Sequence, residues 1–302
     1  MSVHTPPTRW QIVQAAIRPQ TLSLTATPIL VGVSMAWAEG ATPRGGIALA
    51  TLLTAGLIQI GVNLHNDATD HLRGNDTAAR IGPLRVTAAG WVSAKAVLRA
   101  AYLSLALALG LGISLALAGG PIIVAIGSAA LIAALAYSGG PRPLSHTALG
   151  ELFVWVFFGL AAVAGSHWLQ AGQFSAAALI AGAALGLPAA AVLLVNNLRD
   201  IDTDRLAGRR TLAARLGEAH SRRLHAALML TPFLSLPLLA SHLQAPWPGL
   251  ALLALPASLR VSRRMQLATG PALNAVLADT ARAQLQFGGL LSAGCLLTIL
   301  LP

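Results

Sequence analysis

Nine long apolar runs leave this chain one solvent in which to fold. They lie near 21–38, 46–65, 96–118, 121–138, 149–169, 174–196, 224–241, 247–259 and 284–301. Inside a bilayer no water reaches the backbone, so each segment must pair its own N–H and C=O groups, and continuous runs of this length do so as helices. A membrane barrel would need short segments of alternating polarity instead. Charge points the same way: 10% of residues are Asp, Glu, Lys or Arg, where a soluble domain carries about a quarter. The expected fold class is all-α, a polytopic membrane protein of nine transmembrane helices in a single domain over 1–302. The eighth run is the shortest and contains Pro256.

The basic residues give an orientation. Nine spans put the N-terminal segment and the segments 66–95, 139–148, 197–223 and 260–283 on one side. With Arg99, that side holds every Lys and Arg except Arg44. Basic loops stay in the cytoplasm, so the expectation is a multi-pass protein of the bacterial inner membrane with its N-terminus and polar loops cytoplasmic. Ala36-Trp37-Ala38 resembles a signal-peptidase site, but the run before it is longer than the apolar part of an ordinary leader. The net charge of +10 lies in loops between spans, which suits topology, lipid headgroups or a phosphorylated ligand better than nucleic acid. Cys295 is the sole cysteine and excludes an internal disulfide.

Two polar stripes interrupt this frame. Asn63, Asn66, Asp67 and Asp70 stand at i, i+3, i+4 and i+7, one face of a helix, at the end of the second run. Asn197, Asp200 and Asp204 share a face after the sixth run, with Asn196 close to it. Six of the ten acids fall in the stretches 63–76 and 196–205. A carboxylate at the bilayer centre costs about 2.5–3.5 kcal/mol, so clustering needs a cause. Solvated loop acids account for Asp76 and Asp202, but not for a face that recurs. Gathered carboxylates repel unless cations sit between them, and hard oxygen donors suit Mg²⁺ completed by phosphate oxygens. Zinc is disfavoured, since His65 and His71 are six apart and the cysteine is remote. Arg73, Arg80, Arg85, Arg199, Arg205, Arg209 and Arg210 crowd the same two loops. Acids for metal, arginines for phosphate and an apolar surround describe a site that ionises an allylic diphosphate.

At these residues the sequence resembles the UbiA superfamily of intramembrane aromatic prenyltransferases, and within it the branch that prenylates 1,4-dihydroxy-2-naphthoate. Arg18-Pro19-Gln20-Thr21-Leu22 resembles its R-P-x-T-L signature, and 63–76 its first aspartate motif. The stretch 80–87 resembles an R-x-G-P-x-R-V-T segment, 137–151 a Y-T-G-G-P-x-P-L…L-G-E segment, and 196–212 the second aspartate motif. The resemblance implies a bundle around a central cavity, with two Mg²⁺ held by the aspartate motifs and a bridging isoprenoid diphosphate. It assigns metal binding to Asn66, Asp67, Asp70, Asp200 and Asp204. Asp70, Asp200, Asp204 and Tyr137 are the expected catalytic residues, and Arg18, Asn63, Arg80, Arg85, Arg142 and Asn197 the expected diphosphate contacts. Arg142 stands where many relatives carry another residue, and Arg209 replaces the usual Lys.

The implied reaction moves a polyprenyl group from its diphosphate to 1,4-dihydroxy-2-naphthoate, releasing CO₂ and diphosphate and giving demethylmenaquinol for menaquinone biosynthesis. The implied partners are those two substrates and the bilayer. Tyr137, Phe153, Trp155 and Phe157 offer ring faces to an allylic cation. Glu151 is either a helix-dipole partner or a base. Alternatives are another aromatic acceptor or a secondary transporter, although a transporter would place its ionisable groups within the spans. A CDP-alcohol phosphotransferase needs Gly after its second acid, where His71 follows Asp70.

Overall fold

The computed structural model describes residues 7–74, 81–141 and 143–301, and every regular element among them is helical. Arg80 and Arg142, two expected diphosphate contacts, lie outside the described residues. The helices are α1 (Arg9–Ile17), α2 (Pro19–Ala38), α3 (Gly45–Leu72), α4 (Ala94–Ser138), α5 (Gly150–Ala171), α6 (Ala176–Arg199), α7 (Ile201–Leu206), α8 (Leu212–Leu243), α9 (Leu255–Leu267) and α10 (Ala272–Leu300).

Seven of these, α2 to α6, α8 and α10, are long and apolar enough to cross a membrane. The sequence leads one to expect nine, and the difference has two physical causes. First, α4 joins the third and fourth runs. Its 45 residues would make a rod of about 67 Å, over twice the hydrocarbon thickness. It breaks instead at Gly120 (φ 69°, ψ −159°), a backbone that glycine tolerates, and Pro121 restarts the helix. Second, the eighth run is divided between a 3₁₀ stretch, Trp247–Ala254, and α9, so neither piece reaches spanning length alone.

Lipid tails are as apolar as leucine, so helices gain little by burying leucines and associate through close packing. Accordingly Leu103, Leu107, Leu117 and Ile132 stand more than half exposed on α4. Where α5 meets α6 the contact is glycine on glycine. A Cβ on Gly186 would fall 2.6 Å from the Trp155 carbonyl oxygen and 3.0 Å from Gly159 Cα. At this point α5 widens into a π-turn, Val156–Ala161, and Trp155 Nε1 donates to the Ala183 carbonyl at 2.9 Å.

The bundle end remote from Asp70 is tied by polar side chains. Glu39, just past α2, accepts from His167 Nε2 at 2.7 Å and from Ser175 Oγ at 2.5 Å. Gln170 accepts from Trp37 Nε1 and from the Arg44 backbone N–H. Burial pushes the Glu39 carboxyl up, but the His167 and Ser175 hydrogen bonds outweigh it and hold the group below its usual value. A depressed carboxyl stabilises the fold above its unfolded value, near pH 4.5, and that contribution disappears as pH falls through the lower folded value. Unfolding midpoints measured between pH 3 and pH 6, about the span over which carboxylates titrate, should show this loss in the parent and not in Glu39→Gln.

Candidate active site

The two polar stripes close on one another. α3 stays helical to Leu72 and α6 to Arg199, so the acids arrive on rigid elements, with α7 carrying Asp204. Between them lies a polar pocket of about 90 Å³. Of the expected residues it is lined by Arg18, Asn66, Asp70, Arg85, Tyr137, Asn197, Asp200 and Asp204, joined by Ser145, Asn196, Thr203 and Arg209.

Each of the three acids meets a guanidinium. Arg85 Nη1 lies 2.6 Å from Asp70 Oδ2, and both side chains are buried. Arg209 reaches Asp70 Oδ1 through Nη2 at 3.2 Å and Asp204 Oδ1 through Nη1 at 3.3 Å, so a single side chain connects the two motifs. Arg199 grips Asp200 with Nε at 2.8 Å and Nη2 at 2.6 Å, and also donates to Asn196 and Asn274. Burial drives the Asp204 carboxyl up to about 6, with Arg209 opposing and Asp200 and Asp70 adding their repulsion. Arg18 occupies left-handed backbone (φ 55°, ψ 72°), about 1 kcal/mol or more above ordinary helix for a residue with a Cβ. It holds that shape because α1 ends on it and Pro19 begins α2.

Among the described residues, two expected site residues line no part of the polar pocket, and a third is held inside it by another partner. Asp67, expected among the metal ligands, is fully buried and is one of the two. Its Oδ2 accepts from Val86 N at 3.1 Å, and its Oδ1 from Thr87 N at 3.1 Å and from the Thr87 hydroxyl. It therefore clamps the loop that presents Arg85. Asn63, expected at the diphosphate, donates to the Ile17 carbonyl and to Thr21 Oγ1, each at 2.8 Å. Asn197 remains in the pocket, but its Nδ2 donates to Glu151 Oε1 at 2.9 Å. The bridging role of Arg209 escapes the sequence, which offers it only as one of seven loop arginines and as a departure from Lys. Ser145 and Thr203 carry no sequence signal at all.

An apolar cavity of about 400 Å³ opens from the same place. Arg18, Asn66, Tyr137 and Asn196 line both spaces and form the doorway between them. The cavity runs past Leu24, Ile58, Phe153, Phe157, Phe158 and Leu193 to Leu115, Ile123 and Leu169, which are buried together beside the Gly120 break.

Among the described residues no three His, Cys, Asp or Glu side chains already stand at metal-binding spacing. The pocket carboxylates are paired with arginines instead. The donor set nonetheless fits Mg²⁺, because Asn66, Asp70, Asp200 and Asp204 are hard oxygen donors around one pocket.

Residues 25–281 match the model of the UbiA prenyltransferase family. The chain is 37% identical to 1,4-dihydroxy-2-naphthoate octaprenyltransferase of Escherichia coli (strain K12), over 89% of this chain and 90% of that protein. It is 38% identical to the protein of the same name from Mycobacterium tuberculosis, over 89% and 91%. Its fold is similar to that of a UbiA homolog from Archaeoglobus fulgidus solved with DMAPP and Mg²⁺, with a TM-score of 0.62 at 16% identity, covering 96% of this chain and 99% of that one. The helices, the paired aspartate motifs and a family match across most of the sequence agree: the chain belongs to the UbiA prenyltransferase family.

Proposed function

We propose that the protein transfers a polyprenyl group from a polyprenyl diphosphate to 1,4-dihydroxy-2-naphthoate, releasing CO₂ and diphosphate and giving the demethylmenaquinol of menaquinone biosynthesis. The doorway carries this reading. Arg18, Asn66, Tyr137 and Asn196 border a charged pocket on one side and an apolar cavity on the other. An anionic head on a long hydrocarbon tail fills both, and its allylic carbon then stands between them. The names of the relatives from E. coli and M. tuberculosis support the naphthoate as acceptor.

Asn66, Asp70, Asp200 and Asp204 are the residues that would hold Mg²⁺. When bound, the metal neutralises charge developing on the leaving diphosphate. Arg85 and Arg209 exchange their carboxylate partners for diphosphate oxygens, and Arg18 binds the same head from the doorway. Arg80 and Arg142 complete the expected basic set. The allylic C–O bond breaks with its electron pair leaving on the diphosphate, and the apolar cavity keeps water from the cation. Tyr137 faces that carbon with its ring. The electron-rich naphthoate ring attacks, and the electron pair of the carboxyl C–C bond returns to the ring as CO₂ departs. The chain crosses the inner membrane nine times, counting both legs of α4 and the 3₁₀–α9 pair, with this site on the cytoplasmic side.

Purified protein given farnesyl diphosphate, Mg²⁺ and the naphthoate should release pyrophosphate and yield a prenylated, decarboxylated product by mass spectrometry. Release with a different aromatic acid alone would move the function to that acceptor. Absence of release with every acceptor tried would sink the reading.

A further inference from the structure

One wall of the cavity is not apolar. Thr21 and Thr25 on α2, and Gln59 and Asn63 on α3, line it as two i, i+4 pairs on facing helices. They form a hydrogen-bonded ladder. Thr25 Oγ1 faces two acceptors, the Thr21 carbonyl at 3.3 Å and Gln59 Oε1 at 3.4 Å; Gln59 Nε2 donates to Asn63 Oδ1 at 3.1 Å, and Asn63 Nδ2 to Thr21 Oγ1 at 2.8 Å. Gln59, Asn63 and Asn66 stand at i, i+4 and i+7, so the ladder climbs α3 to the doorway, about 10 Å from one end to the other.

Tying α2 to α3 explains the bonds between the helices. It does not explain a polar row that borders a cavity otherwise suited to hydrocarbon, where a prenyl tail would desolvate it without compensation. Nor does the ladder use all of Gln59. A primary amide has two N–H donors, and among the described residues one of them goes to Asn63. A separate wall carries Phe153 and Phe157, stacked at 5.9 Å. α3 packs mainly on α1, α2, α4 and the second half of α5, whereas these phenylalanines belong to its first half. The α3 part of the polar row and the rings thus lie on different sides of one space.

We propose that Gln59, supported by Thr25, is a specificity-determining residue that binds a ring hydroxyl of the aromatic acceptor. The inference rests on the acceptor reading given above and deepens it. A fused two-ring hydroxy acid lies with its flat face toward Phe153 and Phe157. Its far hydroxyl, at ring position 4, accepts from Gln59 Nε2, and its carboxylate-bearing carbon, two positions away on the same ring, lies on the side toward Arg18. The ladder therefore selects for the hydroxyl.

The test compares Gln59→Leu and Thr25→Val with the parent, using the naphthoate and its analogues lacking each hydroxyl in turn. The parent should lose about tenfold in kcat/KM when the far hydroxyl is removed, the worth of one buried hydrogen bond. Gln59→Leu should raise the naphthoate KM by a similar factor, leave the KM for prenyl diphosphate within about twofold, and no longer distinguish the deoxy analogue. An unchanged naphthoate KM in Gln59→Leu overturns the proposal. So does an equal rise in both substrates' KM, which would make the ladder merely structural. If the variants do not fold, the parent alone decides: indifference to both missing hydroxyls overturns the proposal. Failure of the parent to use the naphthoate, with turnover of another acid, is a different result and strikes the acceptor reading itself.

Discussion

Asp70→Asn is expected to lower turnover by about a thousandfold while leaving the protein folded and able to bind prenyl diphosphate. The carboxylate sits between Arg85 and Arg209, and all three side chains are largely buried. An amide keeps the shape and one acceptor oxygen, so the loop and α3 stay in register. It removes the negative charge that a divalent cation requires. It also weakens the hold on two guanidinium groups, which makes them more available to phosphate oxygens. The KM for prenyl diphosphate should accordingly stay level or fall while kcat collapses. Binding of a fluorescent diphosphate analogue without Mg²⁺ should tighten. Asp204→Asn should behave alike, because Arg209 joins the two acids. A variant that keeps more than a tenth of parental turnover would remove Asp70 from the chemistry.

Asp67→Ala is expected to do the opposite: large damage to stability and little to the requirement for Mg²⁺. The substitution strands two backbone N–H groups and the Thr87 hydroxyl in a buried place, at a cost of about 3 kcal/mol or more. Thermal unfolding in detergent should show the midpoint falling by several degrees, with the conservative Asp67→Asn intermediate. In whatever folded enzyme remains, the Mg²⁺ concentration for half-maximal turnover should match the parent. A shift of about tenfold would return Asp67 to the set of metal ligands.

The contrast between these neighbours shows where the sequence stops informing. Helical spacing places Asn63, Asn66, Asp67 and Asp70 on one stripe, and the structure keeps them on one helix. A stripe has two edges, however, and residues 66 and 67 are about 100° apart around the axis. Asn66 and Asp70 form the edge toward the pocket, where Asp70 meets the Arg85 and Arg209 side chains, and Asp67 forms the edge that binds the backbone of residues 86 and 87. Which edge meets which partner is decided by packing, and packing leaves no mark in the spacing. The pairing of Arg209 with Asp70 is hidden for a related reason, since 139 residues separate them. The apolar runs were legible because lipid acts on every residue alike. The break in α4 could be read from Gly120-Pro121, which the sequence already divides into two runs, yet the helix resumes so directly that its length alone would hide the second leg.

Arg209 has a consequence beyond holding the motifs together. Four arginines, Arg18, Arg85, Arg199 and Arg209, stand against Asp70, Asp200 and Asp204, so the resting pocket is almost electroneutral. Cellular inorganic phosphate or nucleotide finds its cationic groups already engaged, and a lone divalent ion finds its anionic groups engaged too. Only a ligand pair of both signs, arriving together, can trade every internal contact for a better one. Under the proposed function, that arrangement favours the metal-bound lipid diphosphate over abundant single ions.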